Sequence, residues 1–276
     1  MTQPWIPAQQ ADCENLIGGA FVPGSGPERA IVSPYTGKTL SRLRLSTSSD
    51  VDSAVQKAHA AWLGWRRLPL RERLDPLARL RLALLAELEP LSLTVASESG
   101  KTPAEARGGV LRGIEVIEFA LSLQNSDSGA ALDVSRGVSC EYRRDPLGVV
   151  VGITPFNFPA MVPLWMFPIA LSVGNTFILK PSEKVPLSAN YLWELALRSG
   201  YPPGVFSVVH GDRVAVQALV THPLVQAIGF VGSSQVARDV YAAAAAAGKR
   251  ALCLGGAISV APRPTKLSTT CALTAS

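Results

Sequence analysis

The rhythm of polar and apolar positions changes near residue 147. Before it, short alternating runs broken by turn residues, Asn15 to Val22, Ala30 to Lys38 and Thr39 to Leu45, predict β-hairpins. Helical spacing follows. Ser49, with Asp52 three residues on, reads as a capping-box-like start for a helix that buries Val51, Val55, Ala58 and Trp62. A leucine-rich stretch from Leu70 to about Glu98 is helical in period, and Pro76 and Pro90 within it must kink or divide it. Thr102 as N-cap, Pro103 at the first helical position and Glu105 at the third open a helix to about Leu123, with Val110, Ile114, Ile117 and Leu121 on its buried stripe. Residues 125–137 read as a loop and Val138 to Arg144 as a strand.

From Leu147 the pattern is of short apolar strands separated by helices of about ten residues. Strands are expected at Leu147 to Thr154, Thr176 to Lys180, Val205 to Val209 and Val225 to Val231. Helices are expected near Pro163 to Ser172, Ser188 to Ser199, Val214 to Val220 and Ser234 to Ala247. Such alternation means βαβ units, hence an α/β fold with a parallel sheet covered on both faces. Ligands of such sheets bind at the carboxyl ends of the strands.

Composition narrows the class. The 276 residues are 47% hydrophobic and 17% charged, enough for one large core or two modest ones. No run approaches the roughly 20 uncharged apolar residues of a membrane span. The opening residues lack a secretory signal, and Cys13, Cys140, Cys253 and Cys271 have neither disulfide-framework nor zinc spacing, so a reducing cytoplasm is the expected compartment and no metal or membrane is expected. The net charge of +5 is dispersed. Arg66, Arg67, Arg71, Arg73, Arg79 and Arg81 alternate with Glu72, Asp75 and Glu87 as a solvated helical face with paired charges, without the aromatic–basic pattern of a nucleic-acid binder. From Val240 to the last residue no Asp or Glu occurs.

Three strand ends carry candidate chemistry. Asn157 lies in Thr154-Pro-Phe-Asn-Phe-Pro, a rigid loop from which an amide could donate to an oxyanion, the alternative being an Asx turn. Lys180-Pro-Ser-Glu183-Lys184 sets ammonium beside carboxylate. That pair suits a ribose diol, or else is a surface ion pair. Gly232-Ser233-Ser234 opens a helix as a phosphate-docking turn would, although it is not a G-x-G-x-x-G fingerprint.

In this order PFNFP, KPSE, FVGS and LGG resemble the aldehyde dehydrogenase superfamily. Ser97 to Thr102, Arg112 to Ala120 and above all Pro146 to Lys184 resemble its CoA-acylating methylmalonate-semialdehyde dehydrogenase branch, and the resemblance runs from about Leu16 to Ala257. It implies a Rossmann-like NAD-binding domain at 147–257, preceded by hairpins and helices at 1–146 that pack on it. It also implies NAD as oxidant and CoA as acyl acceptor. By the same resemblance Asn157 helps bind the aldehyde oxygen, and Thr154 and Phe156 line the nicotinamide path. Lys180, Glu183 and Lys184 would hold the adenine ribose, Ser233 would meet the pyrophosphate, and Gly255 would lie by the nicotinamide. Arg112 would bind the substrate carboxylate, its bland alternative being an ion pair with Glu115 or Glu118.

Two departures stand out. Where the wider superfamily has a general-base Glu before Leu-Gly-Gly, Cys253 stands here, as expected of a branch that releases its acyl group by thiolysis; the thiol itself reads as a plain packed side chain rather than an oxidation-sensitive neighbour of the cofactor. The family's nucleophile is the cysteine of a Gly-x-x-Cys segment that forms a thiohemiacetal and then a thioester. Only twenty residues follow Gly256, and Cys271, after Lys-Leu-Ser-Thr-Thr, lacks that context. Residues 258–276 have no period and no acid, and are expected to be a disordered tail of out-of-frame or rearranged origin. The chain is accordingly expected to lack turnover and the family's oligomerisation region. The alternative is a non-catalytic NAD-binding or partner-binding fragment.

Overall fold

The computed structural model describes residues 11–126 and 129–256. The expectations for Cys271 and for the tail from Ile258 lie outside the described residues.

A hairpin of β1 (Asn15–Ile17) and β2 (Ala20–Val22) turns through Gly18 and Gly19, both at positive φ. A second hairpin, β3 (Glu28–Val32) and β4 (Thr39–Arg44), forms its own two-stranded sheet. Helix α1 (Ser48–Trp65) starts two residues earlier than the sequence reading placed it. Thr47 and Asp50 form its capping box, because Thr47 has the extended backbone of an N-cap whereas Ser49 is already helical. Trp65 replaces Trp62 as the buried tryptophan.

The leucine-rich stretch divides at Glu87 into α2 (Leu70–Ala86) and α3 (Leu88–Ser99). Neither proline marks the break: Pro76 sits within α2, and Pro90 occupies the first turn of α3, where a missing N–H leaves no intrahelical bond unmade. Helix α4 (Pro103–Ser122) opens with the expected capping box of Thr102 and Glu105. Of the arginine stretch, Arg66, Arg67, Arg71 and Arg79 are exposed and Arg73 and Arg81 half-buried, as a solvated face requires, but its partners lie on other elements rather than on Glu72, Asp75 and Glu87. Arg81 pairs with Glu118 of α4 at 2.5 Å, and Arg79 donates to the Ser199 carbonyl at 2.8 Å. Part of the expected loop is strand: β5 (Ala130–Ser135) pairs antiparallel with β6 (Val138–Tyr142). The Gly, Ser and Asp residues hid it, since Leu132 and Val134 supply only a short alternation.

The remaining elements alternate: β7 (Val149–Ile153), α5 (Met161–Ser172), β8 (Thr176–Lys180), α6 (Leu187–Arg198), β9 (Phe206–Val208), α7 (Arg213–Thr221), β10 (Val225–Val231), α8 (Ser234–Ala246) and β11 (Arg250–Leu254). β11 was missed in sequence, its five residues merging into the following turn. The main sheet has the order β11-β10-β7-β8-β9-β1-β2, with the first five strands parallel and β1 antiparallel to β9. After β9 the chain recrosses to the other side of β7, so the strand order reverses beside β7.

Two apolar layers cover the sheet. On one face α5 and α6 pack with α2, α3 and α4 around Phe167, Phe177, Trp193 and Phe206; the Trp193 and Phe206 rings meet edge to face at 4.3 Å. On the other, α1, α7 and α8 cover Val149, Val151, Ile178 and Ile228. A smaller cluster ties Ile31, Leu40 and Leu43 of the second hairpin to Leu187 at the start of α6. Among the described residues no helix is long and apolar enough to cross a membrane.

Candidate functional site

A cleft of about 540 Å³ opens at the carboxyl ends of β7, β8 and β10, where the strand order reverses. Its lining holds Thr154, Phe156, Asn157, Lys180, Glu183, Lys184 and Ser233, seven of the candidate residues, brought together from three strand ends.

Lys180 is the last residue of β8 and only 5% exposed. Its ammonium lies 3.3 Å from Glu183 Oε2, so the two are not the surface ion pair of the alternative reading. Burial lowers the pKa of Lys180, against the opposing pull of Glu183. A buried cation with one carboxylate partner keeps unused donor capacity, since an ammonium has three N–H groups. Lys184 lies over the Phe156 ring, with Nζ 4.7 Å from the centroid, and so joins the β8 loop to the β7 loop.

The β7 loop is held from β8 by a bond from the Thr154 amide to the Lys180 carbonyl at 3.1 Å. Thr154 Oγ1 and Asn157 Oδ1 are buried without a hydrogen-bond partner among the described residues. Asn157 therefore makes no Asx turn. Unmet polar atoms in a cleft mark places where a polar ligand is favoured. At the third strand end, Ser233 is the N-cap of α8 and makes no side-chain capping bond, leaving the first amides of the helix directed along its axis at the cleft. Gly232 has no room for a side chain: an added Cβ would fall 2.5 Å from the Phe230 ring.

Two candidates lie outside this lining. Gly255 packs beside the start of α8, where a Cβ would stand 3.0 Å from Ser234 Cα. Arg112 is exposed on α4, away from the cleft, and Glu118 is engaged by Arg81. Cys253 is half-buried in β11, opposite Phe230 in the parallel register and packed against the second apolar layer; burial raises its pKa, as befits an inert thiol.

The sequence reading missed the far wall. Val216 and Val220 of α7 and Val236 and Val240 of α8 line an apolar slot of the cleft between the two helices. Asp212, whose carboxylate caps α7 by accepting from the Val214 amide at 2.9 Å, stands at its mouth. The polar residue following β9 was the available signal, since it ends a strand of the same sheet. Among the described residues no group of three or more His, Cys, Asp or Glu is placed to hold a metal ion.

The profile of the aldehyde dehydrogenase family matches residues 21–261. The chain belongs to the aldehyde dehydrogenase family. Malonate-semialdehyde dehydrogenase 1 of Geobacillus kaustophilus is 47% identical over 246 residues, which are 88% of this chain and 50% of that protein. A protein of Sinorhizobium meliloti described as a methylmalonate-semialdehyde dehydrogenase, solved with NAD, superposes with a TM-score of 0.87 at 38% identity, covering 91% of this chain and 52% of the other. The methylmalonate-semialdehyde dehydrogenase of Oceanimonas doudoroffii gives the same TM-score and identity over 90% and 51%. This aldehyde dehydrogenase chain thus spans about half the length of the curated relatives it matches.

Proposed function

We propose that the cleft is the NAD site of a CoA-acylating malonate- or methylmalonate-semialdehyde dehydrogenase, and that the 276 residues bind NAD without turnover. The observation that carries the reading is the desolvated Lys180–Glu183 pair at the point where strand order reverses. A ribose diol both donates and accepts. Lys180 would donate to its oxygens and Glu183 accept from its hydroxyl hydrogens. The slot between α7 and α8 suits an adenine ring, and the uncapped N-terminus of α8 suits a pyrophosphate. Thr154 and Asn157, with unmet polar atoms, lie on the side where the nicotinamide and the aldehyde oxygen would meet.

NAD, when bound, supplies the hydride acceptor. This chain's residues hold and orient it; the acyl transfer needs a cysteine thiolate at the cleft, and none of the described cysteines lines it: Cys13 is buried with its pKa pushed up to about 12, Cys253 is half-buried in β11 with its pKa raised by burial, and Cys140 is exposed on the β5–β6 hairpin. Arg112 is proposed to meet the substrate carboxylate from α4, outside the dinucleotide cleft. The names of the relatives support this substrate class. Calorimetric titration of NAD into the purified chain should give saturable binding, weakened at least tenfold by Lys180→Ala. The same protein mixed with methylmalonate semialdehyde, CoA and NAD should produce no NADH; absence of binding, or cysteine-dependent NADH production, contradicts the reading.

A further inference from the structure

Glu183 is held from two sides. Its Oε2 faces Lys180 at 3.3 Å, and its Oε1 faces Arg29 Nη1 at 3.7 Å. Arg29 comes from the second hairpin, far away in sequence. Its place follows from the strand period: Arg29 shares a face of β3 with buried Ile31, and Ile31 packs on Leu187, just after the loop that carries Glu183. A period-2 pattern would put an apolar residue at position 29. An arginine there is instead carried to the rim of the cleft, with its side chain 45% exposed.

The two cations therefore flank a single internal anion. Lys180 and Arg29 also sense one another, since Arg29 is among the groups that depress the Lys180 pKa. Lys184 lies on Phe156, while Asp212, which caps α7, adds a negative field at Lys180 weaker than that of Glu183. With the Glu183 charge removed, a buried ammonium and a guanidinium would face a common point with only the weaker field of Asp212 acting on Lys180, a net positive site that favours capture of an external anion. In dinucleotide sites a carboxylate at the ribose selects the 2′-hydroxyl, and a nearby arginine accommodates a 2′-phosphate.

We propose that Arg29 is a specificity residue of this site: it positions Glu183 for an unphosphorylated ribose and, with Lys180, forms a latent 2′-phosphate receptor that Glu183 keeps occupied. This rests on the dinucleotide reading above. Glu183 acts as the built-in competitor, and the guanidinium matches phosphate geometry with two donors.

Calorimetric titration of the 276-residue chain with NAD and with NADP tests it. The wild-type chain should prefer NAD at least tenfold. Glu183→Gln should tighten NADP binding and reduce that preference at least tenfold. Adding Arg29→Ala should reverse the NADP gain at least fivefold while NAD affinity stays within twofold of the single variant, and Arg29→Lys in its place should retain most of the gain. The gain should also shrink as salt is raised. Equal NADP affinity with and without Arg29 on the Glu183→Gln background, in a chain that binds NAD, overturns this inference alone; failure of the wild-type chain to bind either dinucleotide overturns it together with the NAD reading.

Discussion

Two buried titratable side chains, Glu98 and His210, act in opposite directions on stability. Glu98 of α3 reaches the start of α6, where its carboxylate accepts from the Leu187 amide at 2.7 Å and from the Ser188 amide and hydroxyl. Helix α6 has no side-chain cap of its own, so this carboxylate from another helix takes that role. Burial outweighs the three bonds and raises its pKa from 4.5 to about 7. The folded chain thus holds this proton more tightly than the unfolded one. Its contribution is full below about pH 4.5 and is lost as pH rises through about 7. His210 is the reverse: burial, then the Lys180 charge, lowers its pKa from 6.5 to about 3, so stability is lost as pH falls from 6.5 toward 3. Between 4.5 and 6.5 the two oppose. Urea unfolding should therefore give a nearly flat free energy across that window, whereas His210→Gln should become more stable as pH is lowered through it; parallel profiles for the two proteins would refute the assignment.

At the scale of elements, α4 offers a contrast between two glycines of one helix. Gly108 is exposed, and a Cβ there would meet nothing within 4 Å. Gly113 faces α5, where a Cβ would stand 2.4 Å from Leu164 Cδ1 and 2.9 Å from Leu164 Cβ. Alanine gains helix propensity of about 1 kcal/mol at either position. At Gly113 the overlap with the root of the Leu164 side chain forces α4 and α5 apart, and overpacking of that kind costs about 1–3 kcal/mol. Gly108→Ala should stabilise by about 0.5–1 kcal/mol, and Gly113→Ala should be net destabilising; denaturant midpoints decide, and a stabilising Gly113→Ala would show that the helices yield freely. The α4 start was legible because its cap, proline and acid are all local. The β5 strand was not, because its partner and its exposure are matters of pairing.

For the whole molecule, the apolar surface left uncovered is the main consequence of the fold. β11 ends the described sheet with Leu252 66% exposed, while Ala251 and Cys253, on the opposite face, pack inward. The β5–β6 hairpin stands apart with Leu132, Val134, Val138 and Tyr142 exposed. Unpaired strand edges beside apolar side chains are templates for association. Sedimentation velocity should show self-association that rises with concentration and falls in the Val134→Lys and Leu252→Lys double variant; unchanged behaviour in that variant would place the association elsewhere.

The alternation of short strands and helices after residue 147 was enough by itself to give an α/β fold with a parallel sheet, and the loops at the strand ends gave Asn157, Lys180, Glu183, Lys184 and Ser233 of the cleft, the family resemblance adding Thr154 and Phe156. Local signals sufficed there because βαβ units put consecutive strand ends on one edge. Tertiary structure alone decided the rest. The slot between α7 and α8 exists because the chain recrosses beside β7, which no local pattern records. Arg29 meets Glu183, and Glu98 caps α6, across 154 and 89 residues of chain respectively, through packing of apolar faces that the sequence marks as buried without saying against what.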